Sequence, residues 1–271
     1  MIGGGLAVLV ALLVLFTSQG GDEGGGVGPL NAIAKAAAET QDVGGGRAVL
    51  RGVIRDSGSS KPIVLTGQLV FDGDWVTRGT MRVPDPSSGR SVKLDFMQDG
   101  SMIYMRSSKF GTLPDGREWL GLDLALGEDL DTSVGTGSDA HGELEMLEQA
   151  TGEVEKVGKE KVRGVPTTRY RSRLGVAESA KRLREEGAED TPAIVEKHAS
   201  PLQLEAWIDN KGLVRRMRLF QLRPAPGEEK TIDTRTDFYD FGYEPEIELP
   251  DSDEVFDATS EAKEQLESSD E

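Results

Sequence analysis

The chain has 271 residues, 37% of them apolar, enough for one hydrophobic core of ordinary size. A formal charge of -17 argues against nucleic acid as a partner, because the phosphate backbone calls for clustered Lys and Arg. Without cysteine there is no disulfide framework, no thiol nucleophile and no thiolate-held metal.

The first 21 residues carry no charged side chain, and residues 6–16 (LAVLVALLVLF) form an unbroken apolar run of the length found in the core of an export signal. Residues 1–19 are therefore expected to be a signal peptide or an N-terminal membrane anchor, which places the rest outside the cytoplasm, membrane-associated or secreted. Residues 20–28 (GGDEGGGVG) are too glycine-rich to pack and read as a flexible linker. A phosphate-binding loop would need a preceding strand and a Gly-Lys-Ser/Thr ending, and neither is present.

The folded body is expected over 29–257. Residues 30–41 are Ala-rich, with Leu30, Ile33 and Ala37 at helical spacing, and the helix should pack on a sheet. Period-two alternation follows. Ala48, Leu50 and Ile54 oppose Arg51 and Arg55; Ile63, Leu65, Leu69 and Phe71 oppose Thr66 and Gln68; Trp75, Met81 and Val83 oppose Arg78, Thr80 and Arg82. Asp72-Gly73 and Asp99-Gly100 predict tight hairpin turns, the second pairing Val92, Leu94 and Phe96 with Met102 and Tyr104. A further strand is expected over 118–124.

Residues 141–150 predict a short helix, 153–162 and 166–174 a hairpin turning at Arg163-Gly164, and 176–197 a second helical stretch. Strands are expected over 202–209, 213–222 and 231–241, the first two joined through Asn210-Lys211-Gly212. Residues 258–271 form an acidic tail, and from Asp251 onward nine Asp or Glu stand against one Lys.

The run VEKVGKEKVRGVPTTRY at 154–170, followed by LEAWIDNKGLVRR at 204–216 and Tyr239-Asp240-Phe241-Gly242, resembles the actinobacterial LolA/LppX-like lipoproteins of the LppX and LprG type. The resemblance spans roughly residues 28–258. It implies an α+β fold, a strongly curved antiparallel sheet of about ten strands forming an incomplete β-barrel capped on its concave face by helices. It also implies a lipid carrier or receptor of the cell envelope with a cavity between sheet and helices. The lipobox cysteine of those proteins is replaced by Thr17-Ser18-Gln19-Gly20, so lipidation does not carry over.

No enzyme is expected. The chain has two histidines, His141 and His198, neither in a nucleophile or metal signature, and no cofactor is implied. Asp209-Asn210-Lys211-Gly212 is explained by a hairpin turn, since Lys211 stands where a calcium loop needs an oxygen ligand. Trp75, Trp119 and Trp207 either fill the core or line a pocket. Combined with the resemblance, the inward-facing series Leu65, Leu69, Trp75, Met81, Phe96, Tyr104, Leu204 and Met217 forms the candidate lining of an apolar cavity. The expected partners are a lipid or other apolar small molecule, and the membrane through the N-terminal segment. The alternative is a sensor or interaction module with a solid core, whose partner is another envelope protein.

Overall fold

The computed structural model describes residues 29–58, 61–85, 90–123, 154–174, 202–222 and 230–261. The expectations for 1–19, for 20–28 and for the helices at 141–150 and 176–197, His141 and His198 included, lie outside the described residues. Among the described residues, no helix is long and apolar enough to cross a membrane.

Helix α1 (Pro29–Gln41) leads into twelve strands: β1 (Gly46–Asp56), β2 (Ile63–Phe71), β3 (Thr77–Pro84), β4 (Ser91–Asp99), β5 (Met102–Arg106), β6 (Trp119–Asp123), β7 (Glu155–Val162), β8 (Val165–Leu174), β9 (Leu202–Asp209), β10 (Val214–Gln221), β11 (Lys230–Tyr239) and β12 (Val255–Asp257). They form one open, curved sheet in the order β12-β6-β5-β4-β3-β2-β1-β11-β10-β9-β8-β7. Every pairing is antiparallel except β12 on β6. The expected count of about ten becomes twelve among the described residues. β12 has three residues set among acids and turn formers, too short for a period to show.

Alternation holds through the middle of the sheet and fails toward its ends, where β6 is buried over 119–122 and β7 is exposed over 155–161. Ala48 lies opposite both Leu69 and Phe238, and Gly79 opposite both Leu69 and Phe96. Met217 lies opposite Ala206 and Thr236. These residues share one apolar face. α1 lies on that face against β9 and β10 and buries Ile33, Ala36 and Ala37. Its last turn is fixed by Thr40, whose hydroxyl donates to the Ala36 carbonyl and accepts from the Val214 N–H at 2.9 Å.

Two turns differ from expectation. The β2–β3 connection is not a two-residue turn on Asp72-Gly73. Asp72 closes a longer loop by accepting at its carboxylate from the N–H groups of Asp74 and Val76, and its own N–H bonds to the Val76 carbonyl. Trp75 therefore leaves the strand, takes a positive φ of 62°, and stacks on Phe71 with ring centroids 4.5 Å apart. In the β4–β5 hairpin, Asp99 pairs with Met102, so the turn residues are Gly100 and Ser101, with Gly100 at φ 53°. A two-residue turn sets even-numbered residues of β4 opposite odd-numbered residues of β5, so Met102 and Tyr104 do not share the face of Leu94 and Phe96 as expected. Ile103 and Met105 share the core face with Gln98 and Phe96, and Tyr104 points to the opposite face beside Met97.

The C-terminal segment clips the edge of the sheet. Glu118 and Trp119 donate their N–H groups to the Glu254 carbonyl, Ala258 N–H reaches Gly121, and Arg117 donates to the Ser252 carbonyl at 2.9 Å. Gly121 makes the approach possible, because a Cβ there would come within 2.6 Å of a Val255 methyl. Replacing Gly121 with Ala is expected to cost about 1–3 kcal/mol by overpacking. Urea unfolding measures it, and a midpoint equal to that of the wild type would show that β12 adds nothing to the edge.

Candidate functional site

The apolar face divides into a closed and a less closed region. Leu69, Phe96, Leu204 and Met217 are buried to 5% exposure or less, within one cluster with Ala48, Phe71 and Phe238. These four, expected to line a cavity, are packed as core among the described residues. Leu65 and Met81 are only half-buried. On the same face and toward the same end of the strands, Leu50, Ile54, Ile63, Val83 and Ile232 are half-buried too.

Glycines shape this region. A Cβ on Gly79 would meet the Phe96 ring at 2.7 Å, one on Gly67 the Met81 side chain at 3.2 Å, and one on Gly52 the Leu65 side chain at 3.3 Å. Three large side chains thus lie down across neighbouring strands where a sheet residue with a Cβ would prop them up. The surface they make is apolar, continuous over β1 to β4 and low.

Of the eight predicted lining residues, the sheet brings six onto this face. Trp75 sits in the loop at the other end of the strands, against Phe71. Tyr104 lies on the opposite face, where burial, with Asp99 adding to it, pushes its phenol pKa up. Trp119 and Trp207 are also on that face, each under a guanidinium: Arg106 stands 4.4 Å from the Trp119 centroid and Arg169 5.0 Å from that of Trp207.

That opposite face carries charge, with pairs running across the strands. Arg216 grips Asp237 through two nitrogens at 2.6 and 2.8 Å, and Arg218 grips Asp233 at 2.8 and 2.9 Å. The Glu205 side chain is 0% exposed and accepts from Arg169 at 2.5 Å and Arg171 at 2.8 Å. Trp207 donates its indole N–H to Glu160 at 2.8 Å. The Asp233 carboxyl is held below the usual carboxylate range, first by its hydrogen bonds from Arg218 and then by the Arg218, Arg55 and Arg51 charges acting against burial. The turn at 209–213 holds no ligand set of the calcium-loop kind. Asp209 accepts from the N–H groups of Lys211 and Leu213 and from Arg215 at 2.7 Å.

No family model matches the chain, and no curated protein matches it. Solved structures do. The chain is similar to the lipoprotein LppX of Mycobacterium tuberculosis, at 15% identity and a TM-score of 0.49 over 81% of this chain and 97% of that one. It is also similar to LprF of Mycobacterium bovis, at 13% identity and a TM-score of 0.45 over 84% and 99%. A LolA superfamily protein of Nitrosomonas europaea matches at 8% identity and a TM-score of 0.31 over 83% and 96%.

Two outcomes follow from the charged face. Glu205→Gln keeps the shape but removes the buried counter-charge, and is expected to cost about 3 kcal/mol in denaturant unfolding; an unchanged midpoint would mean that water screens these arginines. Asp233 has a depressed folded pKa, so its stabilising share is complete above the unfolded value near 3.9 and is lost as pH falls through the folded value. Asp233→Asn should therefore flatten the acid limb of thermal stability below about pH 4, and an acid limb as steep as in the wild type would remove Asp233 from the account.

Proposed function

We propose that this chain is an extracytoplasmic carrier or receptor that shelters a lipid or another apolar small molecule against the less closed part of its apolar sheet face. The observation that carries the reading is the glycine-bedded patch of Leu65 and Met81 with Leu50, Ile54, Ile63 and Val83. Half-buried aliphatic side chains from adjacent strands, laid flat over Gly52 and Gly67, offer area to a flexible chain and no group that would do chemistry on it. Such a surface selects by shape and apolar area.

The energetics suit acyl chains. At about 0.8 kcal/mol per buried methylene, one long chain offsets the ordering costs of binding and two give micromolar affinity or better. The apolar run at 6–16 and the glycine linker at 20–28 support a location outside the cytoplasm, with the body standing off the membrane on a tether. In this reading the core residues Leu69, Phe96, Leu204 and Met217 set the floor of the site, and Leu65 and Met81 contact the ligand.

Native mass spectrometry of the purified chain, followed by solvent extraction, tests the reading directly. A copurified apolar mass is expected, and it should be lost in Leu65→Trp and in Met81→Trp while the circular dichroism spectrum stays that of the wild type. Finding only the bare polypeptide would favour the solid-core interaction module. For location, protease added to intact expressing cells should remove the protein, and full-length protein recovered from the cytosol would reject an envelope role.

A further inference from the structure

We propose that the charged face of the sheet holds a binding site for a phosphate-type oxyanion, centred on Arg51 of β1 and Arg235 of β11. The inference is independent of the apolar site, since the two lie on opposite faces.

A hollow of about 310 Å³ opens on this face, lined by five arginines and only two carboxylates, Glu160 and Asp233. This local excess of cation stands on a chain whose net charge is -17, so it is not the average character of the surface. The register makes the excess acute. Arg51 lies directly opposite Arg235, and Arg235 directly opposite Arg218. Three like charges in one cross-strand row repel each other, and such rows destabilise a sheet unless something neutralises them.

The neutralising groups on this face are largely engaged. Asp233 takes both arms of Arg218, and Asp237 takes both arms of Arg216. The buried Glu205 takes Arg169 and Arg171 on one oxygen, while its other, 3.6 Å from Arg218, lies buried and makes no ion pair with Arg51 or Arg235. Arg235 is left with a 3.4 Å contact to the Asp237 oxygen that Arg216 already holds. Arg51 makes no ion pair among the described residues, and its side chain is exposed. Arg169, which lines the same hollow, keeps its Nε–H buried with no acceptor. One acceptor-only ligand with several oxygens meets all three deficits.

The chemistry of that ligand follows from the donors. Guanidinium forks on two neighbouring strands match the edges of a tetrahedral oxyanion and hold it bidentately. The Trp207 ring is flanked by Arg169 and also by Arg216, whose guanidinium is 5.5 Å from the ring centroid. This leaves little of the ring for a stacked base, so the recognised group is the phosphate itself. It can come from free phosphate or from the headgroup of an anionic phospholipid.

Calorimetry on the full chain separates the sources. Inorganic phosphate is titrated in a buffer free of other polyvalent anions, then dihexanoyl phosphatidylglycerol and dihexanoyl phosphatidylcholine below their micelle concentrations. Saturable phosphate binding that weakens with added salt would assign a free oxyanion, and binding to the phosphatidylglycerol alone would assign a headgroup. In either case the Arg51→Gln/Arg235→Gln double variant should bind at least tenfold more weakly, the corresponding lysine pair should bind at an intermediate level, and Arg78→Gln on β3 should bind as the wild type does. No binding of any probe, or binding unaltered by the double substitution, overturns the proposal. Should the glutamine variant fail to fold, phenylglyoxal modification of the wild type decides instead: phosphate must protect Arg51 and Arg235 in the peptide masses, and equal labelling with and without it overturns the site.

Discussion

A sheet that is apolar on one face only must keep every strand in register, because a slip of one residue exchanges the two faces. Among the described residues that condition runs across twelve strands in one open row. Local chemistry enforces it. The Arg163-Gly164 turn, with both residues at positive φ, sets β7 against β8, and Gly100 sets β4 against β5. Between β10 and β11, where the connection is long, two bidentate Arg–Asp forks span the strands, and a slip by two residues would break both while leaving the faces correct.

The two faces then solve different problems. On the apolar side, glycines at 46 and 79 lie under the rings of Phe71 and Phe96, so bulky groups pack flat and the core stays thin. Helix α1 seals one part of it through Ile33, Ala36 and Ala37. On the charged side, a fully buried Glu205 among arginines is not a cheap source of stability, because desolvating the ions offsets most of their attraction. Its structural contribution is to order the arginines around Trp207. An apolar binding surface and a cationic hollow back to back on one sheet would allow a ligand and an anion to be held without competing for the same residues.

Much of this arrangement was legible in the chain. Ala48, Leu50 and Ile54 against Arg51 and Arg55, and Leu65 and Leu69 against Thr66 and Gln68, occupy the faces that alternation assigns them. α1 begins one residue earlier than its periodicity indicates. Period two is a local property that two residues already display, and the apolar face is simply the set of positions sharing it. The resemblance through 154–170 and 204–216 pointed to the same curved, antiparallel architecture.

What the alternation did not display is the geometry of the turns and whatever depends on partners distant in sequence. Tyr104 lies on the other face from Phe96 because a two-residue turn sets even positions of β4 against odd positions of β5. Trp75 left its strand because the Asp72 carboxylate captured two N–H groups and Phe71 offered a ring to stack on. β12 exists only because Gly121 leaves room for Val255, more than a hundred residues away. The arginine row is the clearest case. Arg51, Arg218 and Arg235 are each ordinary outward-facing strand residues in the sequence, and the tertiary fold alone decides that β1, β11 and β10 lie side by side in the register that sets those three charges in one line.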